Sequence, residues 1–169
     1  GPKPDHIRIM GDKIAAKRAA IELGIPCVPG SKGAVSSADE ATRVARSIGF
    51  PVIIKAAAGG GGRGMKVALS ADELSQAISM AQTEAEAAFG SGEVYIERYL
   101  RKPRHIEVQI LGDSLGNVVH LGERDCSLQR RHQKILEETP SPALNSESRA
   151  EICEIAASAM RNFGYESLG

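Results

Sequence analysis

At 169 residues the chain is long enough for one ordinary domain or two small ones, and it can bury most of its apolar surface without a disulfide or metal staple. Lys plus Arg and Asp plus Glu number 21 each, so no net field draws in nucleic acid or a membrane surface, and any anion site must be local. Aromatic residues make up 4% with no Trp, too few for a base-stacking platform, and no run approaches the ~18 apolar residues of a membrane span.

Cys27, Cys126 and Cys153 are widely spaced and form no CxxC, which points to free thiols in a reducing compartment. The polar N-terminus carries no apolar signal core. The expectation is a soluble, cytoplasmic protein with neither nucleic acid nor membrane as partner.

Asp12 is placed to cap a helix running to Leu23, with Gly24 just past its end. Ser37-Ala38-Asp39-Glu40 has the form of a capping box, and behind it Ala41, Val44, Ala45 and Ile48 fall at helical spacing up to Gly49. The same tetrapeptide recurs at Ser70-Ala71-Asp72-Glu73. There Leu74, Ala77, Ile78, Ala81, Ala85 and Ala88 form the stripe and Gly90 ends it.

Between the helices, 52–55 reads as a buried strand, 65–69 as a half-buried one, and 93–100 as a third with Val94 and Ile96 on one face. Helices packed on a small sheet define an α+β layer. Ile106, Val108 and Ile110 then alternate with His105, Glu107 and Gln109, and a turn at 112–117 leads to a return strand over 118–124. This is a hairpin with one polar face. The stretch 126–142 reads as irregular and polar. A last helix starts near Ser146 or Ser148, with Ile152, Ile155, Ala156, Ala159, Met160 and Phe163 as its apolar face. Nothing after Gly164 completes another element, so the sequence reads as truncated.

The most informative stretch runs from Lys55 to Gly64. Five glycines in six positions are costly to order. They are useful where bare backbone N–H groups must approach phosphate oxygens, and Lys55 and Arg63 add cations for the same anion. A flexible hairpin connector is the plainer alternative. Gly59, Gly61 and Gly64 match GxGxxG, but a strand rather than a helix follows, unlike a dinucleotide-binding turn. The Gly-Lys-Ser/Thr of a Walker loop is missing. A protein kinase would carry its lysine on the strand after the loop, together with HRD and DFG segments, and this chain has neither.

Several segments in order resemble the biotin carboxylases of the ATP-grasp family, closest to those of bacterial acetyl-CoA carboxylase. They are Met10-Gly11-Asp12-Lys13, the stretch 24–30, Pro51 to Lys55, Gly59 to Met65, Arg104-His105-Ile106-Glu107 and, most selectively, Glu123 to Lys134. The resemblance implies an ATP-grasp lid subdomain (a small antiparallel sheet with helices) followed by the start of the main ATP-grasp subdomain. The implied boundaries are a helical lead-in over 1–27, the lid over 28–100, and a partial C-terminal subdomain over 101–169.

It also implies roles for named residues. Lys13 and Lys55 would contact ATP phosphates, with Gly60, Gly61, Gly62 and Gly64 closing over them and Met65 beside them. Glu97, Tyr99 and Leu100 would form the hinge that holds adenine, with Glu97 bonding its exocyclic amine. His105, Gln129 and His132 would line the ribose and phosphate side, and Lys134, with His132, would serve the chemistry near the γ-phosphate and bicarbonate. Lysine, a compact point charge, suits phosphate, and positioned cations would offset the charge developing as bicarbonate attacks to form carboxyphosphate.

ATP and Mg2+ would be the cofactors, the metal's ligands lying beyond this chain, with no metal site within it. Biotin on a carrier protein would be the substrate, with a carboxyltransferase as a further partner and the full protein a homodimer. The fragment alone would be inactive.

Plainer readings stand beside each role: Lys13 as a first-turn surface lysine, Glu97 as a solvated strand carboxylate, His105 and His132 as surface histidines, and Cys126 as a quiet buried thiol. Two other functions remain open. One is a different ATP-grasp ligase, of carbamoyl-phosphate or peptide-forming type. The other is a non-catalytic module binding an anion or a partner.

Overall fold

A computed structural model describes residues 1–58 and 64–169. The chain divides into two compact units, each with its own antiparallel sheet.

The three-stranded unit comprises Asp12–Arg18 and Cys27–Arg101. Strand β1 (Val52–Ala56) lies between β2 (Met65–Ala68) and β3 (Val94–Arg98). The two-residue period of β1 sends Val52, Ile54 and Ala56 to one face, where all three are buried with Val94 and Ile96. Helices α3 (Ala38–Ile48) and α4 (Ala71–Phe89) cover this face with Ala41, Ala45, Leu74 and Ala81. Alanines let the helix backbones come close to the sheet, so a thin core is filled without large side chains. Of the expected stripes, Ala88 is exposed.

The recurring tetrapeptide starts both helices, but not in the same way. Ser37 accepts a hydrogen bond from Glu40 N (3.2 Å), whereas Ser70 makes no side-chain cap bond. In both copies the glutamate reaches back one residue beyond the cap. Glu40 accepts from Ser36 N at 2.9 Å and Glu73 from Leu69 N at 2.8 Å. The reach-back bond is therefore the shared start signal, and it satisfies a backbone donor ahead of the first turn.

The four-stranded unit comprises Gly1–Gly11, Ala19–Pro26 and Lys102–Gly169, with strand order β6-β5-β4-β7. Its strands are β4 (Ile106–Gly112), β5 (Val118–Arg130), β6 (Gln133–Glu138) and β7 (Ser167–Leu168). Helix α5 (Ser146–Phe163) starts at Asn145, which accepts from Ser148 N at 2.8 Å. The core joins Ile110 and Val118 to Ala157 on α5.

Three sequence expectations differ from the structure, for residues 126–142, for the chain end and for the apolar face of α5. Residues 126–142 are not irregular, because β5 runs on to Arg130 and pairs with β6. Every β6 residue is exposed, so no apolar alternation marks the strand, and backbone pairing alone defines it. The chain end adds β7, paired with β4 at Leu111 and Gly112. A first helix α1 (Pro4–Gly11) precedes α2 (Lys13–Glu22). On α5, Cys153 and Ala157 are buried, while Ile152 and Ile155 are 37% and 36% exposed and line an open apolar cleft of about 650 Å³ with Met10, Ile25 and Met160.

A buried polar network braces this unit. Glu123 is 2% exposed and accepts from Arg149 Nε (2.7 Å) and Ser141 N (2.9 Å). Asp125 accepts from Ser141 Oγ at 2.9 Å. Arg149 also donates to the Ser141 and Leu144 carbonyls, tying the 139–145 segment to the sheet. Its charge offsets the burial of Glu123 and holds that carboxyl below its ordinary range.

Candidate nucleotide-binding site

Directly paired residues of an antiparallel sheet share a face. Lys55 pairs with Met65 and with Tyr95, and Ile53 pairs with Glu97. Lys55, Met65 and Glu97 therefore stand together on the face of the three-stranded sheet away from α3 and α4.

Glu97 is 9% exposed and therefore not a solvated strand carboxylate. Its Oε2 accepts from Lys55 Nζ and its Oε1 from Lys17 Nζ, each at 2.7 Å. Burial pushes the Glu97 carboxyl upward, but the two ammonium donors more than offset this and hold it below its ordinary range.

Lys13 lies on the first turn of α2, whose N-terminus Asp12 caps by accepting from Ala15 N at 2.7 Å. Its Nζ reaches Ala56 O, at the end of β1, at 3.4 Å. Burial, then the neighbouring charge of Lys55, lowers its pKa. Two cations are thus gathered where β1 leads into the glycine run.

Gly60, Gly61 and Gly62 lie outside the described residues. Gly64 is described and has φ +65°, and a Cβ there would meet the Ala56 Cβ at 2.9 Å, so both backbone conformation and space call for glycine. At the end of β3, Tyr99 N donates to Pro51 O (2.9 Å), and Leu100 is 47% exposed.

In the four-stranded unit, His105, Glu107, Gln109 and Arg124 occupy the polar face of the β4–β5 hairpin. Glu107 is its hub. Oε1 contacts His105 Nε2 at 2.9 Å and pairs closely with Lys134 Nζ, while Oε2 accepts from Arg124 Nη2 at 3.1 Å. The Lys134 ammonium, then Arg124 and His105, bring the Glu107 carboxyl down to about 2. In return Glu107 raises the Lys134 pKa and keeps it cationic.

Gln129 contacts His105 Nδ1 at 3.0 Å and stands opposite Lys134 across the β5–β6 pair. Register shifts between Asp125 and Gln129 aim this distal part of β5. Arg131 and His132 form the two-residue turn between β5 and β6, at φ 50° and 66°. That left-handed geometry suits Asn-Gly and strains any residue with a larger side chain.

His105, Gln129 and Lys134 are therefore brought together, with His132 at the adjoining turn. Lys13, Lys55, Met65, Glu97, Tyr99 and Leu100 belong to the other unit. Sequence reasoning missed Lys17, although Lys13 and Lys17 at i,i+4 share one helix face. It also gave Glu107 no role, although alternation with His105 and Gln109 placed it on the polar face. Cys126 is fully buried, and burial raises its thiol pKa, in keeping with a quiet thiol.

Two lysines where β1 leads toward the glycine run and a buried carboxylate on β3 mark the three-stranded unit, and a charged sheet face around Glu107 marks the other. The chain belongs to the family of the carbamoyl-phosphate synthase L chain ATP-binding domain, whose model matches residues 12–169.

The whole chain is 54% identical to biotin carboxylase 1, chloroplastic, of Populus trichocarpa, spanning 32% of that protein. The biotin carboxylase of Campylobacter jejuni, solved as a β,γ-ATP complex, superposes with TM-score 0.94 at 49% identity, covering 99% of this chain and 38% of that one. The biotin carboxylase domain dimer of Hydrogenobacter thermophilus 2-oxoglutarate carboxylase, solved with MgADP, ADP and bicarbonate, gives TM-score 0.94 at 46% identity, over 99% of this chain and 37% of that one. The chain thus spans about a third of the length of the relatives it matches, and its fold is that of the corresponding biotin carboxylase fragment.

Proposed function

We propose that the chain is the ATP-binding part of a biotin carboxylase, which carboxylates biotin on a carrier protein from ATP and bicarbonate through carboxyphosphate. The observation that carries this reading is the pairing of Lys55 with Glu97 beside the glycine run, in a chain similar over its whole length to biotin carboxylases.

Lys13 and Lys55 contact phosphates. Glu97, Tyr99 and Leu100 hold adenine, Met65 and the glycines pack over the nucleotide, and His105, Gln129 and His132 face its ribose and phosphates. Lys134, kept cationic by Glu107, offsets charge on bicarbonate and the transferring phosphoryl group.

Among the described residues no group of three or more His, Cys, Asp or Glu could hold a metal, and Glu97, Glu107 and Glu123 each accept from cations. These residues do not fit Mg2+.

A role in acetyl-CoA carboxylase and fatty acid synthesis, with carboxyltransferase and carrier protein as partners, follows from the same resemblance. One structural neighbour is the biotin carboxylase domain of a 2-oxoglutarate carboxylase, so the same resemblance is compatible with a different final acceptor. That neighbour is a dimer, and a homodimer is proposed here too. Among the described residues no helix is long and apolar enough to cross a membrane, and a cytoplasmic location is proposed.

The test is phosphate release by the full-length protein with ATP and bicarbonate. Stimulation by free biotin and not by ammonia supports the reading. Stimulation by ammonia alone would assign the chain to a carbamoyl-phosphate-forming ligase.

A further inference from the structure

Glu97 has two lysine partners of different character. Lys55 lies on β1, next to the glycine run, and its side chain is 28% exposed. Lys17 reaches Glu97 from the second turn of α2, and its side chain is 15% exposed.

The path of Lys17 is built into the backbone. Gly30 pairs with Glu97 as an isolated bridge, and a Cβ at that position would lie 2.9 Å from Lys17 Nζ, 3.0 Å from Glu97 Cγ and 2.3 Å from Ile96 O. Glycine at 30 keeps open the space in which the Lys17 ammonium sits. Ser31 fixes the same crossing by donating from its N to Ile96 O at 2.8 Å and accepting from Ile96 N at 3.1 Å.

We propose that Lys17 is a positioning residue for adenine recognition, holding the Glu97 carboxylate in place and compensated when Lys55 turns to the nucleotide's phosphates. The proposal rests on the nucleotide-site reading of Lys55 and Glu97 given above. A buried carboxylate that loses its only cation pays a large desolvation cost, so one lysine cannot both neutralise Glu97 and serve phosphate freely. A second ammonium, fixed by a helix and a glycine-lined slot, removes that competition. Glu97 then stays ionised, with lone pairs free to accept from an exocyclic amine.

The experiment is equilibrium titration of the full-length protein with ATP and with inosine triphosphate, which has a carbonyl in place of the amine. Wild type, Lys17→Met, Lys17→Gln and Lys17→Arg are compared, with melting temperature as a check on folding. Loss of one charge-assisted hydrogen bond in a buried site corresponds to roughly tenfold or more in affinity.

The expected result is ATP affinity about tenfold weaker in Lys17→Met and Lys17→Gln, a smaller change for inosine triphosphate, and recovery of ATP preference in Lys17→Arg. A purely structural role would weaken both nucleotides equally. Equal weakening, or unchanged ATP affinity in a folded variant, overturns the proposal. Wild type that binds neither nucleotide refutes the underlying site reading instead.

Discussion

Replacing Glu107 by Gln keeps the shape of the side chain and one acceptor oxygen but removes the charge on which Lys134, Arg124 and His105 converge. A carboxyl held at about 2 in the fold and near 4.5 in the unfolded chain carries at most about 3 kcal/mol at neutral pH by linkage. The Glu107 side chain is 25% exposed, so solvent screening brings the expected loss down to about 1–2 kcal/mol. Because the folded pKa is depressed, this stability is fully present above 4.5 and fades as pH falls from there towards 2. Urea denaturation of wild type and Glu107→Gln at a series of pH values between 7 and 3 reads the effect. The two curves should be separated at pH 7 and converge as the solution is acidified. Parallel curves, or a variant as stable as wild type at pH 7, would show that the cluster is a set of solvated neighbours rather than an ion-paired hub.

Three further outcomes follow from the fold. The double substitution Arg131→Asn with His132→Gly relieves two left-handed residues in the β5–β6 turn and should stabilise the protein by about 1–2 kcal/mol, read as a higher denaturation midpoint, while impairing phosphate release. Arg149→Ala leaves Glu123 buried without its cation and should cost about 2–4 kcal/mol, less than the loss for a fully enclosed pair because Arg149 is 27% exposed. Ile54→Ala empties a fully buried position at the centre of the three-stranded sheet and should cost about 2–5 kcal/mol by calorimetry or chemical denaturation.

Much of the fold could be read locally. The capping tetrapeptides, the apolar run of 52–55, the alternation of 106–110, and the stripes of α3 and α4 are all local signals. What escaped lacked such a signal. β6 is exposed along its whole length, so no apolar pattern marks it, and its turn holds Arg-His where Asn-Gly would have announced a hairpin. β7 is two residues long and exists through its pairing with β4. On α5, Ile152 and Ile155 match a helical period but line an open cleft, so periodicity marked apolar positions without saying what covers them.

The site divides the same way. Position at a strand end before the glycine run singled out Lys55, and Glu97 came from the family resemblance. Their shared face follows from a register that only the paired strands reveal. Lys17 and Glu107 pair with groups distant in sequence, 80 residues for Lys17 with Glu97 and 27 for Glu107 with Lys134, so helical spacing and strand alternation could place them on a face without naming those partners.

As proposed above, Lys13, Lys55 and Glu97 serve an adenine nucleotide rather than an anion in general. The most direct measurement is the melting temperature of the full-length protein with Mg-ATP, with Mg-GTP and with inorganic triphosphate at equal concentrations. A ligand at 100 times its Kd stabilises the fold by about 2.7 kcal/mol, a shift of several degrees. That shift is expected with ATP, and a clearly smaller one with GTP and triphosphate. Equal shifts with ATP and triphosphate would contradict it and leave an anion-binding module in its place.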